Sequence, residues 1–105
     1  MATLLWRKWK DRYQQKKMQA MLAKRVKISK QGIKVYADVM DCFDTGLSAS
    51  GYSLLRIQLR IPLLDDHYLY PVSSTFSLTT CTRLKGMRIK VQFLPGDLSQ
   101  VIICY

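Results

Sequence analysis

The residues that could perform acid–base or nucleophilic chemistry in this 105-residue chain are few. Its single histidine, His67, directly follows the carboxylates of Asp65 and Asp66 in a segment typical of a turn. A histidine–aspartate pair becomes catalytic only when the fold places a nucleophile beside it, and the sequence identifies no such nucleophile. An isolated histidine in a turn is ordinarily solvated, so we expect His67 to have no catalytic role.

The acidic residues offer no better candidate for catalysis. All seven are Asp, and six of them lie in or beside predicted turns, where an Asp side chain commonly binds backbone N–H groups. The sequence contains no P-loop, no GxGxxG and no HExxH motif. We therefore predict a protein that is not an enzyme, with no catalytic residues and no cofactor.

The three cysteines give no support for a metal site. Cys42, Cys81 and Cys104 are odd in number and widely spaced, and no CxxC pair occurs, unlike the spacing of a structural zinc site. Free cysteines behave as small apolar residues, and we interpret these three as reduced thiols of a cytosolic protein. A single disulfide in an exported protein is the alternative.

The start of the chain bears on location. Arg7, Lys8 and Lys10 are not followed by the apolar stretch of ~7–15 residues that marks a signal peptide. No apolar run approaches the ~18–20 residues needed to cross a bilayer. We expect a cytoplasmic protein that, where it meets a membrane, lies on the inner face.

The positive charge is concentrated in the first third of the chain. Residues 1–34 contain 11 Lys or Arg and one Asp, whereas residues 35–105 contain six basic and six acidic residues, so the net charge of +10 lies entirely before residue 35. A cationic segment on a neutral body indicates an anionic partner, which could be acidic lipid headgroups, nucleic acid or an acidic protein surface.

The same segment is predicted to be helical. Residues 3–27 contain no Gly or Pro and are rich in strong helix formers, and Gly32 is a typical stop signal, so we assign 1–32 to a basic amphipathic helix. Wound at about 100° per residue, an aromatic patch in its first half lies on a different side from Met18 and Met21. The residues predicted to bind a membrane or a partner are Trp6, Trp9, Tyr13, Arg7, Lys8, Lys10, Arg12, Lys16 and Lys17.

Three interpretations of this helix stay open. The tryptophans could lie at the headgroup depth of a membrane whose anionic lipids attract the basic residues. The cations could instead neutralise the phosphates of a nucleic acid. Alternatively, the aromatic residues pack on the chain's own strands or on another subunit. Two tryptophans within four residues are costly to leave in water, so we expect an apolar partner surface.

Residues 33–105 are predicted to form a small β-barrel domain. In the clearest strand, 55–61, Leu and Ile alternate with Arg and Gln, and 87–93 repeats this alternation. Further strands are predicted at 33–40, at about 68–78 and at 101–104, with Pro71 requiring an edge or bulge position. The fold class is thus mainly β with one N-terminal α-helix: five antiparallel strands in a barrel of SH3 or OB type, packed on one face and solvated on the other.

The solvated face carries a second candidate surface. Basic residues at outward positions of neighbouring strands would form a stripe, and OB-type barrels bind single strands through such stripes combined with exposed aromatic rings. Tyr36, Tyr68 and Tyr70 are the candidate stacking partners. A solubilising outer face is the simpler interpretation. The candidate nucleic-acid-binding residues are Lys34, Arg56, Arg60, Arg88 and Lys90.

Two stretches of the barrel region resemble a known family. They read FDTGL at 43–47, followed by GYSLLRIQL at 51–59, and LKGMRIKVQFLPGDLSQVII at 84–103. Their TG turn and alternating strands are similar to the L-x-x-G-x-x-V-x-V-x-(Y/F)-x-P-x-D-x-S-x-V pattern of small bacterial β-barrel modules of unknown function. The resemblance covers residues 33–104 and departs at Gly96. It implies a membrane-associated, non-catalytic module, although a basic, Trp-bearing helix stands here in place of the family's neighbouring transmembrane helix.

Together these features predict a non-enzymatic interaction or scaffolding module whose helix docks on an anionic membrane surface or a partner protein. The alternative is a small nucleic-acid-binding protein that uses the helix and the outer face of the barrel. A homo-oligomer, or a subunit of a larger assembly, is compatible with either function. A basic arm on a β body also occurs in viral matrix and capsid subunits.

Overall fold

A computed structural model describes the backbone of residues 2–104 and the side chains of residues 16–104. Helix α1 extends from Ala2 to Gln31, in agreement with the predicted N-terminal helix. A 3-10 turn, Leu64–Asp66, precedes the third strand, and a one-turn helix, α2, covers Cys81–Leu84. The strands are β1 Ile33–Ala49, β2 Tyr52–Pro62, β3 Tyr68–Leu69, β4 Val72–Ser77, β5 Arg88–Leu94 and β6 Asp97–Cys104.

Five of the six strands close into a barrel. Their order is β1-β5-β6-β4-β2, the pairing of β1 with β2 closes the ring, and β3 extends β2 at one side. The predicted barrel behind a helix is therefore confirmed. The prediction that all strands are antiparallel is wrong, because β4 and β6 pair in parallel through Ser74 and Gln100. Helix α2 separates β4 from β5, so these two strands do not form a hairpin, and β6 returns beside β4 in the same direction.

The inward residues of the barrel form one apolar core, as the alternation predicts. Leu55, Ile57 and Leu59 of β2 are fully buried, and Val91 and its inward neighbours on β5 meet them. Burying a large aliphatic side chain contributes about 1.5–3 kcal/mol relative to exposure, so these strands supply much of the stability. The buried core residues are Ala37, Val39, Leu55, Ile57, Leu59, Ile61, Leu84, Ile89, Val91, Phe93, Val101 and Ile103.

Proline divides the predicted third strand. Pro71 lies between β3 and β4 and belongs to neither, since it has no N–H for a ladder. Its carbonyl still accepts a hydrogen bond from Leu59 N at 2.9 Å. The first strand is longer than predicted, because β1 continues through a bulge between Val39 and Asp41 and pairs with β2 as far as Ala49.

A disulfide joins β1 to α2. Cys42 and Cys81 are bonded, with their Cα atoms 5.3 Å apart, a usual separation for such a bond. The expectation of three reduced thiols is therefore wrong for these two, and Cys104 is the free cysteine. Sequence spacing could not reveal the pair, because α2 brings the two residues together across 39 positions by packing against β1.

The last turn of α1 is seated on the outer side of β5. Ile28 is 0% exposed, and Gly32 N donates to its carbonyl at 2.7 Å. The Gln92 amide donates to the carbonyls of Ser29 and Gly32 at 3.4 and 3.2 Å. Gln92 thus binds carbonyl oxygens where the helix itself supplies no donors, which is why a glutamine on the outward side of β5 is buried.

The outer face of the barrel is consequently not solvated throughout. Leu54 of β2 and Phe76 of β4 are paired neighbours outside the core, yet they are only 6% and 5% exposed. Gln92 and Gln100, at outward positions of β5 and β6, are buried as well. The prediction of one packed and one solvated face is wrong for this part of the barrel, because α1 lies against β5 and β6.

Candidate functional site

A groove lies between the second half of α1 and the barrel, with a volume of about 430 Å³. One wall is helical and includes Met18 and Met21, while the other comes from β1 and β2 and includes Leu47 and Leu54. Methionine is flexible and fills irregular apolar spaces. The lining is therefore mainly apolar, in the size range of about 300–1,000 Å³ that small-molecule sites occupy.

Hydrogen bonds from β6 hold the helical wall in place. Gln100, at the base of the groove, is 2% exposed, and its side-chain N–H donates to Met21 O at 2.8 Å. Its Oε1 is buried and has no hydrogen-bond partner among the described residues. Lys24 donates to Ser99 Oγ at 2.8 Å and pairs with Asp97 Oδ2 at 2.5 Å. These contacts fix one helical turn on β6 and leave the groove beside it.

The same contacts perturb one carboxylate. Hydrogen bonds from Lys24 and from the side chain and backbone of Ser99 lower the pKa of Asp97 to about 2. The bonds favour the charged form, which accepts them all. Asp97 therefore stays ionised at neutral pH, and Lys24 is committed to it.

Two further cations reach the groove without such a commitment. Lys17 of α1 and Arg56 of β2 line it and are exposed, and neither forms an ion pair with another described side chain. The site therefore combines an apolar lining with positive charge, an arrangement that suits an anionic molecule with an apolar part.

A separate cationic surface surrounds Tyr36 on β1 and β5. Tyr36 is 55% exposed, with Arg88 and Lys90 over its ring at 5.9 and 5.6 Å from the centroid, the geometry of cation–π contacts. Lys34 lies on the same side of β1, two residues before Tyr36. We call Lys34, Tyr36, Arg88 and Lys90 the Tyr36 patch.

The predicted basic stripe is thus divided rather than continuous. Lys34, Arg88 and Lys90 belong to the Tyr36 patch, whereas Arg56 lies in the groove. Arg60 binds Asp38 Oδ2 through its Nε and Nη2 at 3.1 and 2.9 Å, a hydrogen bond that raises the pKa of Arg60.

The other predicted aromatic rings lie at the β3 end. Arg60 lies 5.1 Å from the centre of the Tyr68 ring, and the rings of Tyr68 and Tyr70 are 6.4 Å apart. Because Arg60 is already paired with Asp38, this cluster offers a ligand less free charge than the Tyr36 patch.

The predicted membrane-binding residues are only partly described. The structure places them all on α1, and Lys16 and Lys17 are exposed. The side chains that lie outside the described part of the chain are those of Trp6, Trp9, Tyr13, Arg7, Lys8, Lys10 and Arg12.

Sequence reasoning missed the groove itself. It grouped Met18 and Met21 as a helix patch but assigned them no partner. The pair Leu54-Leu55 interrupts the alternation of β2, and an apolar residue at an outward position is the signal that something covers that face. Lys24 and Gln100 gave no such signal, since charged and amide side chains are usual at solvent-exposed positions.

Two searches of the described residues bear on the class of site. No helix among them is both long enough and apolar enough to cross a membrane. No group of three or more His, Cys, Asp or Glu side chains within that part of the chain is placed to hold a metal ion. Comparisons of the chain with protein-family models, with curated proteins and with solved structures found no match.

Proposed function

We propose that this protein is a non-catalytic adaptor in which the barrel carries a cationic helix for docking on an anionic membrane surface. The observation that supports this most directly is the attachment of α1. Ile28, Gln92 and the Lys24–Asp97 pair hold the second half of the helix on the barrel. The barrel therefore presents the basic segment on a rigid support instead of neutralising it.

The charges of α1 remain available for an anionic surface. Lys16, Lys27 and Lys30 are exposed and form no ion pair with another described side chain. A basic residue near an anionic membrane contributes about 1 kcal/mol of attraction. Trp6 and Trp9 are suited to headgroup depth, because indole combines an apolar ring with one polar N–H. The family resemblance of residues 33–104 also implies a membrane-associated module.

The strand order favours the OB type over the SH3 type. Counted along the chain, the third barrel strand pairs in parallel with the fifth, as in the five-stranded Greek-key barrel that we assign to the OB class. OB barrels bind oligonucleotides on the face of their second and third strands. In this chain that face belongs to β2 and β4, where Leu54 and Phe76 are buried. The usual OB surface is therefore not free for a single strand.

Vesicle binding tests the proposal. Vesicles of phosphatidylglycerol and phosphatidylcholine are compared with pure phosphatidylcholine by co-sedimentation at several salt concentrations. Trp6 and Trp9 are the only tryptophans, so a blue shift of the intrinsic fluorescence reports on α1 alone. We expect a blue shift and binding with anionic vesicles that weaken as salt screens the charges.

A matched pair of variants assigns the binding to the helix. The helix variant replaces Lys16, Lys27 and Lys30 with Gln, and the barrel variant replaces Lys34, Arg88 and Lys90 with Gln, so the net charge changes equally. The helix variant should bind up to about 100-fold more weakly, given about 1 kcal/mol per cation. Equal losses in both variants, or equal binding to neutral vesicles, would refute docking through α1.

The Tyr36 patch supports nucleic-acid binding as the second candidate function. Three cations around an exposed ring are the components with which proteins hold single strands. The same two triple variants discriminate, because a single-stranded oligonucleotide should now depend on the barrel variant. Its loss should lower the slope of log affinity against log salt by about 0.7 for each phosphate contact removed. An unchanged slope would exclude the patch as a nucleic-acid site.

The disulfide bears on which membrane face is involved. Disulfides persist in oxidising compartments and are rare in the cytosol, so the Cys42–Cys81 bond favours an exported protein over the cytoplasmic location expected from the spacing of the cysteines. Trapping thiols with maleimide during cell lysis decides between them. One labelled cysteine before reduction and three after it would support an oxidising compartment, and three labelled at once would support the cytosol.

A further inference from the structure

We propose that the groove between α1 and the barrel binds a single-chain anionic lipid, with its acyl chain along the methionines and its headgroup at Lys17 and Arg56. This site is independent of membrane docking, since the ligand is a monomer in solution and the groove does not involve residues 1–15. The carboxylate of a free fatty acid and the phosphate of a monoacyl phospholipid share the required chemistry.

The apolar lining accounts for the acyl chain. Met18 and Met21 face Leu47 and Leu54 across a space of about 430 Å³. Unbranched methionine side chains can adapt to a flexible chain. Transfer of each methylene from water into such a lining is favourable.

The charges account for an anionic headgroup. Lys24 is occupied by Asp97 and Ser99, but Lys17 and Arg56 also line the groove and have no ion-pair partner among the described residues. They come from opposite walls, one from α1 and one from β2. An anion between them would bind both elements and complement a charge that the protein leaves unpaired.

The lining argues against a nucleobase as the occupant. Proteins hold unpaired bases mainly by stacking them on aromatic rings. None of the groove-lining residues among the described side chains is aromatic, whereas the Tyr36 patch does carry a ring. The chemistry of the two cationic surfaces is thus different, and the groove is the one that suits an aliphatic chain.

Titration calorimetry with soluble amphiphiles tests the proposal on the full-length protein without vesicles. The probes are octanoate, decanoate and dodecanoate, all below their micellar concentrations. We expect saturable 1:1 binding that tightens by up to about fourfold for each added methylene until the groove is filled. Monolauroyl phosphatidylglycerol, compared with dodecanoate, distinguishes a phospholipid source from a free fatty acid. Lauroyl maltoside, which is uncharged, should bind more weakly than both.

Two pairs of neighbouring substitutions locate the ligand. Ala20 lines the groove and Ala23 does not, although both are exposed on α1. Ala20→Phe should weaken dodecanoate binding at least tenfold by filling the space, whereas Ala23→Phe should leave it within about twofold. For the headgroup, Lys17→Gln should weaken binding about fivefold, while Lys16→Gln at the neighbouring exposed position should not, since a single exposed ion pair contributes up to about 1 kcal/mol.

Several results would overturn the proposal. They are the absence of saturable binding, affinity independent of chain length, or equal effects of Ala20→Phe and Ala23→Phe. Circular dichroism and urea unfolding of each variant confirm that it is folded, so that lost binding is not attributed to lost structure. Vesicle docking uses Lys16, Lys27 and Lys30, which are unaltered in Ala20→Phe and Lys17→Gln, so failure of one proposal leaves the other standing.

Discussion

Helix α1 meets the barrel in two different ways along its second half. At the end that we call the closed end, Ile28 is fully buried, Gly32 permits close approach, and Gln92 binds two carbonyls. Two to three turns earlier, at the open end, the helix touches β6 through Lys24 and Gln100, and the groove remains beside it. The same helix thus serves as a structural element at one end and as the wall of a binding site at the other.

The difference lies in the kind of contact. The closed end excludes water from an apolar side chain and satisfies backbone groups, both of which stabilise the folded state. The open end relies on a partly exposed ion pair and on a glutamine whose Oε1 lacks a partner among the described residues. Such contacts contribute little net stability. We therefore expect substitutions at the closed end to change stability, and those at the open end to change ligand binding.

The largest expected effect is at Ile28. Ile28→Ala removes a fully buried side chain and should lower the free energy of unfolding by about 3 kcal/mol, within the range for such truncations. Urea unfolding followed by circular dichroism measures it. Val26→Ala is the control, because Val26 is 53% exposed on the same helix and should cost well under 1 kcal/mol. Equal effects would mean that α1 is not held at Ile28.

Gly32→Ala should have the next largest effect. A Cβ at this position would lie 2.5 Å from Ile28 O and 2.8 Å from Gln92 Cγ, and such overpacking costs about 1–3 kcal/mol. Gly46 provides the contrast, since its φ is +77° but nothing lies within 4 Å of an added Cβ. Asn tolerates that backbone conformation, so Gly46→Asn should be milder than Gly46→Ala, whereas Gly32→Asn should be no milder than Gly32→Ala. Unfolding midpoints of the four variants check this.

The glutamines compare the two ends directly. Gln92→Met removes hydrogen bonds to two carbonyls at the closed end and should cost about 1–2 kcal/mol, because each such bond contributes about 0.5–1.5 kcal/mol. Gln100→Met removes one bond to Met21 O but also an Oε1 with no described partner, so its effect should be close to zero. Urea unfolding of both variants measures the difference, and a costlier Gln100→Met would reverse our assignment of the two ends.

The sequence predicted the local features of this molecule better than the contacts between distant segments. The helix ending before Gly32 and the alternation around Ile57 follow from short-range propensity and period. The seating of α1 does not, because Gln92 and Gln100 have the pattern of solvent-exposed strand residues until a helix 60 and 79 positions away covers them. The Cys42–Cys81 bond is likewise a product of the tertiary fold.

The candidate site was predictable only in its charges. Lys17 and Arg56 were both identified as basic binding residues, but in two separate surfaces, one on the helix and one on the barrel. The structure brings them to the same groove. Periodicity assigns a residue to one face of its own element, and it carries no information about which other element will pack against that face.

The smallest expected effect is the pH dependence at the open end. The pKa of Asp97 is lowered to about 2 from an ordinary 3.8, so its contribution is complete above about pH 4 and is lost as the pH falls through 2. Because its side chain is 40% exposed, water screens the pair and the contribution is a few tenths of a kcal/mol. Urea midpoints at pH 5 and pH 2.5 should therefore differ slightly less in Asp97→Asn than in the unmodified protein.

Two further variants show whether this dependence belongs to the contact between α1 and β6. Lys24→Gln should reduce the acid-dependent loss as Asp97→Asn does, since Lys24 is the main cause of the lowered pKa. Asp41→Asn alters an exposed pair with Lys85 at 3.8 Å and should retain the loss. A decrease of several kcal/mol on acidification that both Asp97→Asn and Lys24→Gln abolish would show that the open end anchors the helix, and would remove the distinction between the two ends.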